Sequence, residues 1–129
     1  MDIQATLQAL NACHGPSGDE GEITDLLERL AAPYADKCKR DALGNLIVRR
    51  KGKGPKVMFS AHMDSIGMIV THIDEKGFLR FGRLGGLSPF ELLGAPVRLK
   101  NGVRGILALD GETEPKEMKL DDLYIDIGA

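Results

Sequence analysis

Apolar residues recur every three to four positions in the first part of the chain, and further on they alternate with polar ones. Ile3, Leu7 and Leu10 fall on one face of a helix, with Ala5, Ala9 and Ala12 filling in around them. Asp2 stands where a cap belongs. His14-Gly15-Pro16 ends the segment, since glycine suits a helix C-terminus and proline cannot continue one. Ser17 and Glu20 then lie at capping-box spacing, and Ile23, Leu26, Leu27 and Leu30 form the stripe of a second helix that Pro33 stops.

From Lys37 the pattern is that of strands. Lys37 to Arg40 is a short candidate, followed by a turn at Ala42-Leu43-Gly44-Asn45. Leu46 to Arg50 and Lys56 to Ala61 are predicted as two strands joined by a hairpin at Lys51-Gly52-Lys53-Gly54-Pro55. The second is apolar throughout, which predicts a central strand covered on both faces. Met68 to Ile73 and Phe78 to Phe81 flank a turn at Asp74-Glu75-Lys76-Gly77, with His72 on the face of Met68 and Val70. Pro96 to Lys100 and Val103 to Leu109 flank Asn101-Gly102, a pair that favours a tight two-residue turn. Asp110 to Lys119 reads as a polar, acidic loop and Leu123 to Ile127 as a last strand. The expected organisation is helices plus sheet over 1–66, an α/β arrangement, and a small antiparallel β domain over 67–129.

Composition narrows the function classes. The 129 residues are 43% hydrophobic and 28% charged, with a formal net charge of −2. That balance suits one domain, or two small pieces sharing a boundary. It offers no broad positive field. The basic residues cluster only at Arg49-Arg50-Lys51-Gly52-Lys53, with no aromatic stacking residues beside them, so no nucleic-acid partner is expected. No apolar run approaches the roughly 20 residues of a membrane span, so no membrane partner is expected either. Met1-Asp2-Ile3-Gln4 lacks the basic start and apolar middle of a signal peptide, and the expected compartment is the cytoplasm. Cys13 and Cys38 fit that compartment as free thiols.

The candidate chemistry sits where the apolar run Val57-Met58-Phe59-Ser60-Ala61 gives way to His62 and Asp64. In an extended segment, residues i and i+2 face the same way, about 6.6 Å apart along the strand. In open α/β sheets the space beyond the strand ends is where ligands bind. An imidazole there can ligate zinc or cobalt, and an adjacent carboxylate can accept the other ring N–H, fixing the tautomer and raising basicity. A catalytic zinc takes three protein ligands. His72 reads as structural or exposed, His14 as a helix-end residue favoured by the dipole, and Ser17 as a cap. Asp110 to Glu114 and Asp121-Asp122 read as solvated carboxylates. By this count the chain alone does not finish a metal site. No nucleophile elbow, phosphate loop or dinucleotide fingerprint is present.

The stretches "GPSGDEGEI", "SAHMDSIGMIVTHIDEKGFLRFGRLGG", "LLGAPVRLKNGVRG" and "LDDLYIDIGA" together resemble the dinuclear-metal aminopeptidases, known as glutamyl, deblocking or tetrahedral aminopeptidases and also as cellulase M or endoglucanase M. The resemblance runs in order across nearly the whole chain. It implies a peptidase α/β domain that binds two divalent metal ions, zinc or cobalt, and acts on peptide substrates. It also implies a small β domain inserted just after the H-x-D motif, which makes dimer contacts in a large homo-oligomer. His62 corresponds to the first metal-binding histidine and Asp64 to the aspartate that supports it and assists catalysis. Many relatives carry Glu after this Asp, where this chain has Ser65. The other ligands and the general base come later in the family, so the chain is expected to be the opening part of the peptidase plus much of its β domain, inactive alone. The alternative is a non-catalytic assembly module in which residues 67–129 supply an oligomer interface. A glycan hydrolase would need two spaced carboxylates, and none can be nominated.

Overall fold

The computed structural model describes residues 2–111, 114 and 117–128, and these divide into two compact units, Met1–Ser65 and Ile66–Ala129. In the first, helix α1 spans Ile3–Ala12 and helix α2 spans Gly21–Ala31, followed by a single 3-10 turn at Ala32–Tyr34 that takes in Pro33. The Asp2 carboxylate accepts the Ala5 N–H at 3.1 Å, as its position before α1 predicts. The capping box expected at α2 does not form. Glu20 precedes the helix and accepts the Gly18 N–H at 2.6 Å, while the Ser17 hydroxyl is used elsewhere. Ile23 and Thr24 are the buried residues of α2.

Strands β1 (Lys37–Arg40) and β2 (Leu46–Arg49) pair antiparallel into a two-stranded sheet. The Arg40 guanidinium reaches Asp25 at 2.7 Å and also Glu28, tying β1 to the polar side of α2. The predicted strand Lys56–Ala61 and the hairpin before it are absent; this segment carries no ladder. Val57, Met58 and Phe59 are exposed, Phe59 at 94%. An apolar run becomes a covered strand only when neighbours pair with it and pack on it, and no described residue does so here.

The second unit is a five-stranded antiparallel sheet, in the order β3-β4-β7-β6-β5. Its strands are β3 (Gly67–Ile73), β4 (Leu79–Leu84), β5 (Pro96–Arg98), β6 (Arg104–Leu109) and β7 (Leu123–Asp126), with a short helix α3 (Pro89–Leu92) between β4 and β5. The last strand in sequence is therefore the middle one in space. Leu79, Phe81, Leu107, Leu123 and Ile125 alternate inward from β4, β6 and β7 to make the core, with Met68, Leu92, Val97 and Met118 packed around it.

Three hairpin loops share one design. Gly44, Gly77 and Gly102 have φ of 87°, 87° and 88°, and each donates its N–H three residues back, to Asp41, Asp74 and Leu99. This is a three-residue loop with a left-handed glycine closing a type I turn. The two-residue turn expected at Asn101-Gly102 would need positive φ at Asn101 as well, and no residue other than glycine has it among the described residues. In the first two loops the aspartate side chain accepts the N–H groups two and four residues on: Leu43 and Asn45 for Asp41, Lys76 and Phe78 for Asp74.

His72 is not on the face of Val70. Val70 pairs with Phe81, but His72 pairs with Arg80, so Thr71 is the extra residue of a bulge that moves His72 to the outer face. That face carries Phe78 stacked on Tyr124 at 4.2 Å and the Arg80 guanidinium 5.5 Å from the Tyr124 ring centre. Arg80 also holds Asp74 at 3.0 Å and Asp110, so Asp110 is an ion-pair partner and not a solvated loop carboxylate. Of the acidic loop, Glu112, Thr113, Pro115 and Lys116 lie outside the described residues.

Burial by itself would raise the Asp74 carboxyl, but the Phe78 N–H and the Arg80 side chain outweigh it and hold the group below its ordinary value. A lowered folded value stabilises above the usual carboxylate range and loses that contribution as pH falls through it. Urea midpoints of the wild type should therefore fall on acidification below about pH 5. In Asp74→Asn, which keeps an acceptor for the turn, the fall should be shallower; equal slopes would remove Asp74 from the acid response.

Candidate functional site

The site is built on two loops of the first unit, Gly15–Gly18 between α1 and α2 and His62–Ser65 at the unit's end. The Ser65 N–H donates to the Gly15 carbonyl at 2.8 Å, its hydroxyl donates to the same oxygen at 3.1 Å, and the Ser17 N–H donates back to the Ser65 carbonyl at 3.3 Å. Pro16 and Ser65 thus form an isolated parallel bridge. A Cβ on Gly15 would lie 2.8 Å from Ile23 Cγ2, so this loop can approach α2 only with glycine there.

On this base, Asp64 and His62 meet. His62 Nδ1 lies 3.0 Å from Asp64 Oδ1 and 3.1 Å from the Asp64 carbonyl oxygen. Both partners only accept, so the ring donates from Nδ1, and in the neutral imidazole Nε2 carries the lone pair. The ring is 87% exposed. Met63, between the two, has its sulfur 3.2 Å from the hydroxyl of the buried Thr24. The second carboxylate oxygen of Asp64 accepts the Ser17 hydroxyl. That bond leads the influences that hold the Asp64 carboxyl below its ordinary value, against partial burial and with help from His62.

The other histidines stand apart. His14 follows Cys13, the residue that ends α1, and its Nε2 pairs with Asp19 at 3.1 Å. His72 is exposed on β3. Among the described residues, no three of the His, Cys, Asp and Glu side chains come together in a way that would hold a metal ion. The donor set therefore fits one imidazole ligand with its supporting carboxylate, and no more.

Residues 44–129 match the M42 glutamyl aminopeptidase family. The chain belongs to that family. The lysyl aminopeptidase of Pyrococcus furiosus is 38% identical over 117 residues, covering 83% of this chain and 34% of the relative. The structure of a TET aminopeptidase from the marine sediment archaeon Thaumarchaeota archaeon SCGC AB-539-E09 superimposes with a TM-score of 0.85 at 34% identity, over 98% of this chain and 38% of that one. The Pyrococcus horikoshii TET1 peptidase, which can assemble into a tetrahedron or a large octahedral shell, gives a TM-score of 0.80 at 34% identity, over 98% and 40%. This M42 chain thus spans well under half the length of these relatives. Its helices and antiparallel sheets are of the α/β peptidase class to which those neighbours belong. Among the described residues no helix is long and apolar enough to cross a membrane.

Sequence reasoning missed three contributors to the site: Ser17, Thr24 and the Ser65–Gly15 clamp. Ser17 carried a signal that pointed elsewhere, because Ser-x-x-Glu before an apolar stripe is what a helix cap looks like. Its actual partner is 47 residues away.

Proposed function

We propose that this chain is the part of a metal-dependent aminopeptidase that supplies one metal ligand, His62, and the carboxylate that holds it, Asp64. The reading rests on one observation: a solvent-facing imidazole whose Nδ1–H is taken up by a carboxylate at 3.0 Å, with Nε2 open. The substrate is a peptide, and the bond cleaved is the one following its N-terminal residue. Two divalent ions, zinc or cobalt, supply carbonyl polarisation and an acidified water when bound. The chain's own residues do less. His62 offers Nε2. Asp64 is a positioning residue that keeps the ring in one tautomer.

Titration with cobalt or zinc, followed by the histidine ring signals in NMR, tests this. His62 should respond before His14 and His72, and an equal response from all three would sink the assignment. The remaining ligands and the base are assigned to residues outside this chain. The purified 129-residue chain should accordingly release no amino acid from a chromogenic amide with either metal added. Robust turnover would overturn that assignment.

A second reading, an assembly module, draws on the other unit. Its sheet has a closed core of its own, yet edge strand β3 leaves Ile69 and Ile73 exposed at 57% and 65%. Homo-oligomerisation through this unit, with or without catalysis, is read by light scattering. A stable dimer without metal supports it, and a monomer at all concentrations removes it.

A further inference from the structure

We propose that Ser17 is a positioning residue for His62, acting through Asp64: its hydroxyl fixes the plane of the carboxylate that selects the imidazole tautomer. The proposal rests on the metal-ligand reading of His62 and extends it to a residue in another loop.

The argument starts from exposure. The His62 ring is 87% exposed, so packing does not hold it, and its orientation comes from its hydrogen bonds to Asp64. A carboxylate turns about its last torsion in a broad, shallow well. It can hold a ring only if something holds the carboxylate. Oδ1 faces His62, and Oδ2 accepts the Ser17 hydroxyl. With one oxygen tied on each side, the carboxylate plane is set.

Ser17 is itself anchored. Its N–H donates to the Ser65 carbonyl at 3.3 Å, and Ser65 is bound twice to Gly15. The loop before α2 and the loop carrying H-x-D are therefore registered by backbone bonds through Ser65, the residue next to Asp64.

The test uses the full chain with Ser17→Ala and Ser17→Thr, read by long-range 1H–15N correlation of the imidazoles in the absence of metal. Wild type should show His62 almost wholly as the Nδ1–H tautomer. In Ser17→Ala the minor tautomer should rise roughly fivefold, the worth of one ordinary hydrogen bond. Ser17→Thr, which keeps the hydroxyl, should restore the wild-type pattern. Unchanged tautomers in a folded Ser17→Ala chain would overturn the proposal. If that variant fails to fold, the wild-type Ser17 hydroxyl proton decides. A slowly exchanging signal with cross-peaks to the Asp64 β-protons supports the proposal, and fast exchange without them overturns it. Added cobalt separates the two levels of inference. A Ser17-dependent tautomer with no cobalt effect on His62 would defeat the metal reading and leave the positioning role standing; a cobalt effect with Ser17-independent tautomers would do the reverse.

Discussion

Replacing Leu107 with alanine should destabilise the second unit by about 2–5 kcal/mol. Leu107 is 1% exposed and lies on β6, pairing with Ile125 of β7 and receiving Phe81, Leu79 and Leu123 into the same cluster. Its backbone is committed as well: the N–H donates to Ala95 at 3.0 Å and the carbonyl accepts the Gly94 N–H at 2.8 Å. The backbone around the site is thus pinned on both sides and cannot collapse into the cavity, which places the cost toward the upper end of that range. Urea unfolding followed by the Tyr124 signal gives the number. Ile106, the next residue and 48% exposed, provides the contrast, and its alanine variant should lose less than about 1 kcal/mol. Similar losses at the two positions would mean that the core is not where the sheet's alternation puts it.

The elements legible in the sequence were those whose signal is local. α2 announces itself through the spacing of Ile23, Leu26 and Leu27, and the hairpins at Asp41 and Asp74 through an aspartate three residues ahead of a glycine. His62 and Asp64 were legible as a pair because two residues apart in a non-helical segment is enough to bring them into contact. What failed depended on partners distant in the chain. The run Val57 to Ala61 has the composition of a central strand, but composition cannot supply the neighbouring strands, and without them the segment stays exposed. The bulge at Thr71 leaves no mark in the alternation of Met68, Val70 and His72, yet one extra residue moved His72 to the other face. The Asn-Gly dipeptide named a turn but not its length, since Leu99 pairing with Val103 sets a three-residue loop.

The Ser17 case shows the same principle at the site. A capping box costs little to form and little to forgo, about 1 kcal/mol on each side. Ser17 lies three residues before Glu20, the residue that precedes α2, so its hydroxyl sits too far back to cap that helix. It donates instead to the Asp64 carboxylate, a charge-assisted bond roughly twice as strong as a neutral one, and Glu20 accepts the Gly18 N–H. Local spacing ranks the options within one loop and is blind to the one that arrives from 47 residues away.

Asp64→Ala should weaken cobalt or zinc binding at His62 by about 10–100-fold, the usual effect of removing a carboxylate behind a ligating histidine. The loss has two parts. Without the carboxylate the Nδ1–H has only the carbonyl of residue 64 at 3.1 Å, a neutral and weaker acceptor. The exposed ring is also released, so part of the time it presents the wrong nitrogen. Asp64→Asn separates these, since its amide oxygen can still face Nδ1–H while its charge is gone; it should keep the tautomer and recover part of the affinity. The half-saturating metal concentration, read from the His62 ring signals, gives both numbers on one scale. If Asp64→Ala binds as wild type does, the imidazole is not a metal ligand supported from behind, and the 3.0 Å contact is only an exposed surface pair.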